Sequence, residues 1–296
     1  AVVSHENKNT YKVNFSKGSV KDEKYITIIE GYELWVGGVQ VTEENKNNIT
    51  GAGIDGTVIY APESKTLTLY NATITGTKSG EGNDRKSRYG IYSNDVLNIN
   101  LIGNNAVNGV NMDLDSCTGI YTESNLKISG TGSLTVNIGS ESKIRYGCGL
   151  KGSDISIKSG TVNVSVKSTY TSIGMDGKYV TITGGKITAN VAGEMGNTYG
   201  IYANYTITID GGVVGATSTA KSNFNLFAST AYCLYGNIVS VTGGTVTAKA
   251  YRLAENVNAI AIGGYFAYSN GTVKAGTDSD GADQYAYDPS QLSTYR

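Results

Sequence analysis

Val180-Thr-Ile-Thr-Gly-Gly-Lys-Ile-Thr-Ala189 consists of two short alternations of apolar and polar residues joined by a glycine pair. Alternation with period two places every second side chain on one face, the pattern of a strand with one buried side. The glycines between the two halves permit a sharp corner, because glycine adopts a positive φ without steric penalty. Ile155-Ser-Ile-Lys-Ser-Gly160, Ile207-Thr-Ile-Asp-Gly-Gly212 and Val239-Ser-Val-Thr-Gly-Gly244 repeat the unit.

Outward from this stretch, its first apolar residue heads a ladder through Leu34, Leu67, Leu97, Leu126, Ile155, Val180, Ile207, Val239 and Phe266, about 29 residues apart. A second ladder follows two residues behind. A third, beyond the corner, runs through Ile74, Leu134, Val162, Ile187, Val214, Val246 and Val273. A fourth precedes the first and runs through Ile91, Ile120, Leu150, Met175, Ile201, Leu234 and Ile262. Each unit therefore reads as three strands, of the types Gly-Ile-Tyr, Val-Thr-Ile-Thr and Lys-Ile-Thr-Ala. One such unit cannot bury its own apolar residues, whereas units stacked in parallel bury them in a continuous column. The expected fold is all-β, a right-handed parallel β-helix of about nine three-strand coils. Residues 1–57 are expected to form an N-terminal cap and first coil, 58–275 the β-helix and 276–296 a C-terminal cap or tail, all in one structural domain. The segment around Val36-Gly-Gly-Val39 suits either a first coil or a covering hairpin.

Composition agrees with many short strands and tight turns: glycine is abundant (39), proline scarce (2), and tyrosine (22) outnumbers phenylalanine (4). With 17% charged residues and a net charge of −1, the chain lacks the basic excess of a nucleic-acid binder. No apolar run approaches the ~20 residues of a membrane-spanning helix. Ala1-Val-Val-Ser4 has neither the basic nor the apolar part of a leader, so an extracellular or cell-surface protein whose signal peptide has been removed is expected. A monomer is expected. Cys117, Cys148 and Cys233 cannot all pair with one another; buried free thiols are the expected state, a Cys117–Cys148 bridge the alternative.

The Gly-Ile-Tyr strand repeats Tyr92, Tyr121, Tyr202 and Tyr235 at one outward position, with Lys151 and Asp176 in the middle coils. Tyr89, Tyr199 and Tyr232 lie three residues upstream. Rings spaced along a groove offer flat apolar platforms to sugar rings, although a structural tyrosine stack would give the same pattern. Insertions at 77–88, 104–117, 139–146, 193–198 and 217–231 fall at one corner and gather on one side of the rod. They bring Arg85, Lys86, Arg88, Lys143 and Arg145 towards the tyrosines, as an acidic glycan would require, with Glu81, Asp84 and Glu141 diluting the charge. The ligand-contact residues read in this way are Tyr89, Tyr92, Tyr121, Tyr202, Tyr235, Arg85, Arg88, Arg145 and Lys151. No catalytic residue is assigned: the single His5 lies in the terminal segment, and a cross-strand ion pair accounts for Lys151 and Asp176. No cofactor is expected; Asp278-Ser-Asp-Gly-Ala-Asp283 matches only half of a calcium loop and lacks its distal glutamate.

Tyr32-Glu-Leu-Trp-Val-Gly-Gly-Val-Gln-Val-Thr42, Gly56-Thr-Val-Ile-Tyr60 and Lys65-Thr-Leu-Thr-Leu-Tyr-Asn-Ala-Thr-Ile-Thr75 resemble a signature of secreted or surface β-helical proteins of Gram-positive gut bacteria. The later coils resemble a carbohydrate-binding β-helix family whose repeat reads Asp-Gly-Ile-x-Ala-x-Gly-x-Leu-Thr-Ile-x-Gly-Gly. The resemblance implies a surface location and a glycan partner. In that family the aspartate before the glycine supplies calcium ligands. Here Tyr89, Thr118, Cys148, Ile173, Tyr199 and Tyr232 hold that place, so no calcium array is expected. The function implied is non-catalytic glycan binding or adhesion, with a polysaccharide lyase or glycoside hydrolase, or a purely structural spacer, as alternatives.

Overall fold

The computed structural model describes residues 2–7, 10–14, 31–80, 87–109, 115–139, 144–221, 229–254 and 257–278. These residues contain strands and turns but no helix, and the strands stack in parallel as a β-helix. Three parallel ladders run along the rod. Sheet A holds the Gly-Ile-Tyr strands, beginning with Ser87–Ser93, Ser116–Thr122 and Tyr146–Lys151. Sheet B pairs Leu126 with Ile155, Ile155 with Val180 and Val180 with Ile207. Sheet C pairs Leu134 with Val162, Val162 with Ile187 and Ile187 with Val214. In the later coils the A and B strands merge into single long strands such as Thr171–Ile182, with a register shift at the corner between Gly177 and Tyr179.

The core is the column that the repeat dictates. Leu126, Ile155, Val180, Ile207 and Val239 are at most 1% exposed, as are Ile128, Ile157 and Ile182 two residues on. At roughly 1.5–3 kcal/mol for each side chain of this kind, burial repeated in every coil dominates the stabilisation. The three cysteines are buried thiols outside any disulfide.

The stack has about seven turns, not nine. At ~4.8 Å per strand the rod is roughly 34 Å long. One reason lies at the N-terminal end. Leu34 and Val36 do not head the sheet B ladder but sit in Gly31–Val36, which runs antiparallel to the first sheet A strand, opposite Ser93 and Ile91. Gly31–Val36 and Val39–Thr42 form a hairpin whose turn residues Gly37 and Gly38 have φ of 57° and 85°. Two consecutive positive φ values define a type I′ turn, which only glycine or a few polar residues accept readily. Ile54–Ala61 likewise runs antiparallel to Thr66–Ile74.

The first parallel pairing is also displaced. Leu67 faces Ile99 rather than Leu97, and Ile74 aligns with Val107, Val136 and Val164 rather than with Leu134. The position aligned with Leu134 is occupied in the preceding coil by Asn105, which is 3% exposed. Its Oδ1 accepts from the Ala72 N–H at 2.9 Å, and its Nδ2 donates to the carbonyls of Ile102 at 3.1 Å and Ser133 at 3.0 Å. These bonds satisfy the amide and tie three layers together.

Candidate functional site

Sheet A presents one continuous outward column. Successive strands pair Trp35 with Tyr92, Tyr92 with Tyr121, Tyr121 with Lys151, Lys151 with Asp176, Asp176 with Tyr202 and Tyr202 with Tyr235. Beyond Tyr235 stands Gly263. The repeated tyrosine position is thus a single line of side chains, as the sequence indicates.

A second column contributes Tyr89, Tyr199 and Tyr232. Tyr89 lies two residues before the buried Ile91 and on an uninterrupted strand would share its inward face. The chain bends at Gly90, where a Cβ would come within 2.6 Å of the Val107 methyl and 2.7 Å of the Gly119 carbonyl. The bend reverses the alternation, so Tyr89 turns outward and its ring meets that of Tyr92 at 5.1 Å. Tyr-Gly-Ile-Tyr therefore places both of its tyrosines on the surface.

The rings form two clusters. In the first, Tyr92 and Tyr121 stack at 5.2 Å and 11°, Tyr89 packs on both, and Trp35 meets Tyr92 edge-on at 5.6 Å. The Lys78 ammonium lies 4.5 Å from the Tyr92 centroid and 4.8 Å from the Trp35 ring. In the second, Tyr202 stacks on Tyr235 at 2° and Tyr199 on Tyr232 at 3°, with edge contacts between the pairs. Neighbouring rings cover one another, so these tyrosines are half-buried. The column is linear. Tyr121 is the strand neighbour of Lys151 and Tyr202 that of Asp176, so the two clusters flank the charged pair.

Lys151 Nζ and Asp176 Oδ2 are 2.8 Å apart, the cross-strand ion pair expected from their spacing. Their side chains are 45% and 17% exposed. Burial tends to discharge the Lys151 ammonium, but the charge and hydrogen bond of Asp176 outweigh it and hold its pKa above the usual lysine value. Tyr202 is raised by burial and then by the Asp176 charge. The pair lies in an open groove of about 390 Å³ lined by Tyr121, Glu123, Lys151, Ser153, Asp176, Lys178 and Asn204. Tyr179 and Tyr205 follow Lys178 and Asn204 at the corner between sheets A and B. They stack at 5.3 Å while remaining 46% and 49% exposed.

Of the basic residues of the insertion corner, Arg88 and Arg145 lie among the described residues. Arg145 lies 3.7 Å from the Asp115 carboxylate and over the rings of Tyr170 at 5.0 Å and Tyr146 at 5.8 Å. Arg88 is half-buried in its strand, its guanidinium donating to the Ser87 carbonyl at 2.9 Å. Arg85, Lys86 and Lys143 lie outside the described residues, as does the acidic run beyond Asp278. Sequence reasoning overlooked Trp35 and Lys78, which an antiparallel cap strand and its neighbour carry to the column. It also overlooked Tyr179 and Tyr205, whose places in the repeat are taken by Asn237-Ile238 in the next coil and so show no tyrosine period.

A larger cavity, about 590 Å³, lies in the cap among Tyr32, Glu33, Glu43, Tyr60, Lys65 and Asp95. Its charges are mutually engaged: Lys65 pairs with Asp95 at 2.5 Å, and Glu43 accepts from Tyr32 and Lys46. No family model, curated protein or solved structure matches the chain.

Proposed function

We propose that this protein is a non-catalytic, secreted or cell-surface β-helix that binds glycan through sheet A, as an adhesin or carbohydrate-binding module does. The observation that carries the reading is the polar groove at Lys151 and Asp176, lined on one side by Tyr121 and followed along the same outward column by Tyr202. Sugars are bound by this combination of ring faces, which take the apolar side of a pyranose, and fixed polar groups, which take its hydroxyls. A catalytic reading as a lyase would require a base in the groove. Asp176 holds Lys151 charged, which suits a hydrogen-bond donor; the carboxylates that could act as a base there are Asp176, engaged with Lys151, and Glu123.

A glycan array followed by affinity electrophoresis tests the proposal. Wild-type protein is expected to be retarded by at least one polysaccharide, and Tyr121→Ala or Tyr202→Ala to be retarded less. Because each ring packs on others, with aromatic pairs worth about 0.5–1.5 kcal/mol, these variants are expected to melt a few degrees lower while remaining folded. Failure to retain any glycan, or release of reducing ends or unsaturated products, would overturn the reading.

A further inference from the structure

We infer that the Lys151–Asp176 pair is a vicinal-diol clamp, and that the groove takes a neutral, hydroxyl-rich sugar rather than a uronate. This inference rests on the glycan-binding proposal and specifies its ligand. Nζ and Oδ2, 2.8 Å apart, present a donor and an acceptor side by side. Two hydroxyls on adjacent carbons of a pyranose stand at a comparable separation. One can accept from the ammonium while the other donates to the carboxylate. Neither group gives up its partner, and both hydrogen bonds are charge-assisted, the stronger kind.

Charge argues in the same direction. The groove pairs two cations, Lys151 and Lys178, with two carboxylates, Glu123 and Asp176, so it presents no net charge to a ligand. A uronate carboxylate directed at Lys151 would lie beside Asp176, whose side chain is only 17% exposed. Repulsion between two poorly solvated carboxylates opposes that approach. Arg145, one of the cations read as favouring an acidic chain, is engaged with Asp115 and two rings.

The test compares Asp176→Asn and Lys151→Gln with wild type on a panel of neutral polysaccharides (glucans, mannans, galactans) and uronate polymers (polygalacturonate, alginate), at low and high salt. Circular dichroism melting of each variant verifies the fold. A neutral polymer is expected to bind wild type most tightly, and its binding to change little with salt. Each substitution is expected to weaken it about tenfold, the worth of one charge-assisted hydrogen bond, while the melting temperature stays within a few degrees. Tighter, salt-sensitive binding of a uronate polymer would overturn the inference, and so would neutral-polymer binding unchanged in both folded variants. In either case glycan binding itself would stand. Binding of nothing on the panel would end both.

Discussion

At the scale of single residues, two environments govern the chemistry: rings that cover one another and polar groups enclosed by carbonyls. Tyr199 is held above the ordinary tyrosine pKa first by burial and then by its ring neighbours, and Tyr202 by burial and then by the nearby Asp176. A raised folded-state value means that the unfolded chain releases its phenolic protons first. The stability linked to these rings is thus fully present below the unfolded value near 10 and is lost as pH climbs through the folded one. The melting temperature is therefore expected to hold steady from neutrality to about pH 9 and to fall beyond roughly pH 10. Phenolate absorbance of the native protein should lag that of the unfolded chain; coincident titration curves would contradict the packed clusters. Asn105 shows the other environment, a polar side chain at a core position made tolerable by three hydrogen bonds to three backbone segments.

At the scale of strands, neighbouring residues have opposite fates. Ile182 is fully buried in sheet B and Thr181 beside it is half-buried on the outer face. Ile182→Asp would place an unpaired carboxylate in the column, a penalty of several kcal/mol, and is expected to prevent folding. Thr181→Asp should melt within a few degrees of wild type by circular dichroism, and equal damage from both would refute the assigned faces. The same periodicity explains what the sequence made legible. Where glycine corners repeat, as from Leu126 through Val239, the register follows directly from the apolar ladder. At Leu67 and Ile74 the pairing is displaced by two residues, and a displacement of two leaves every side chain on its original face. Hydrophobic pattern cannot detect such a shift. Nor can it foresee that Gly31–Val36 runs antiparallel, because strand direction leaves no trace in alternation. In the candidate site, the tyrosine column was legible because it repeats once per coil. Trp35 and Lys78 were not, because they arrive from elements outside the repeat, and the Asp115 and Tyr170 partners of Arg145 were hidden because they belong to other coils.

At the scale of the whole rod, contacts are made almost entirely between adjacent coils, and the N-terminal end is closed by a hairpin that carries Trp35 onto the first tyrosine. Side chains laid out in this way act as rungs whose spacing is set by the interstrand distance, so an inserted coil would lengthen the groove without rebuilding it. The ladders have a mechanical consequence as well. Their hydrogen bonds point along the axis from one coil to the next, so tension applied end to end loads them in opening rather than in shear. Stretched between bead and surface, the molecule should yield one lap at a time at low force, each event releasing roughly 100 Å of chain for about 29 residues. A single high-force rupture would be incompatible with that geometry. Held between a surface and a load, such a rod would behave as a shock absorber, lengthening in small increments before it fails.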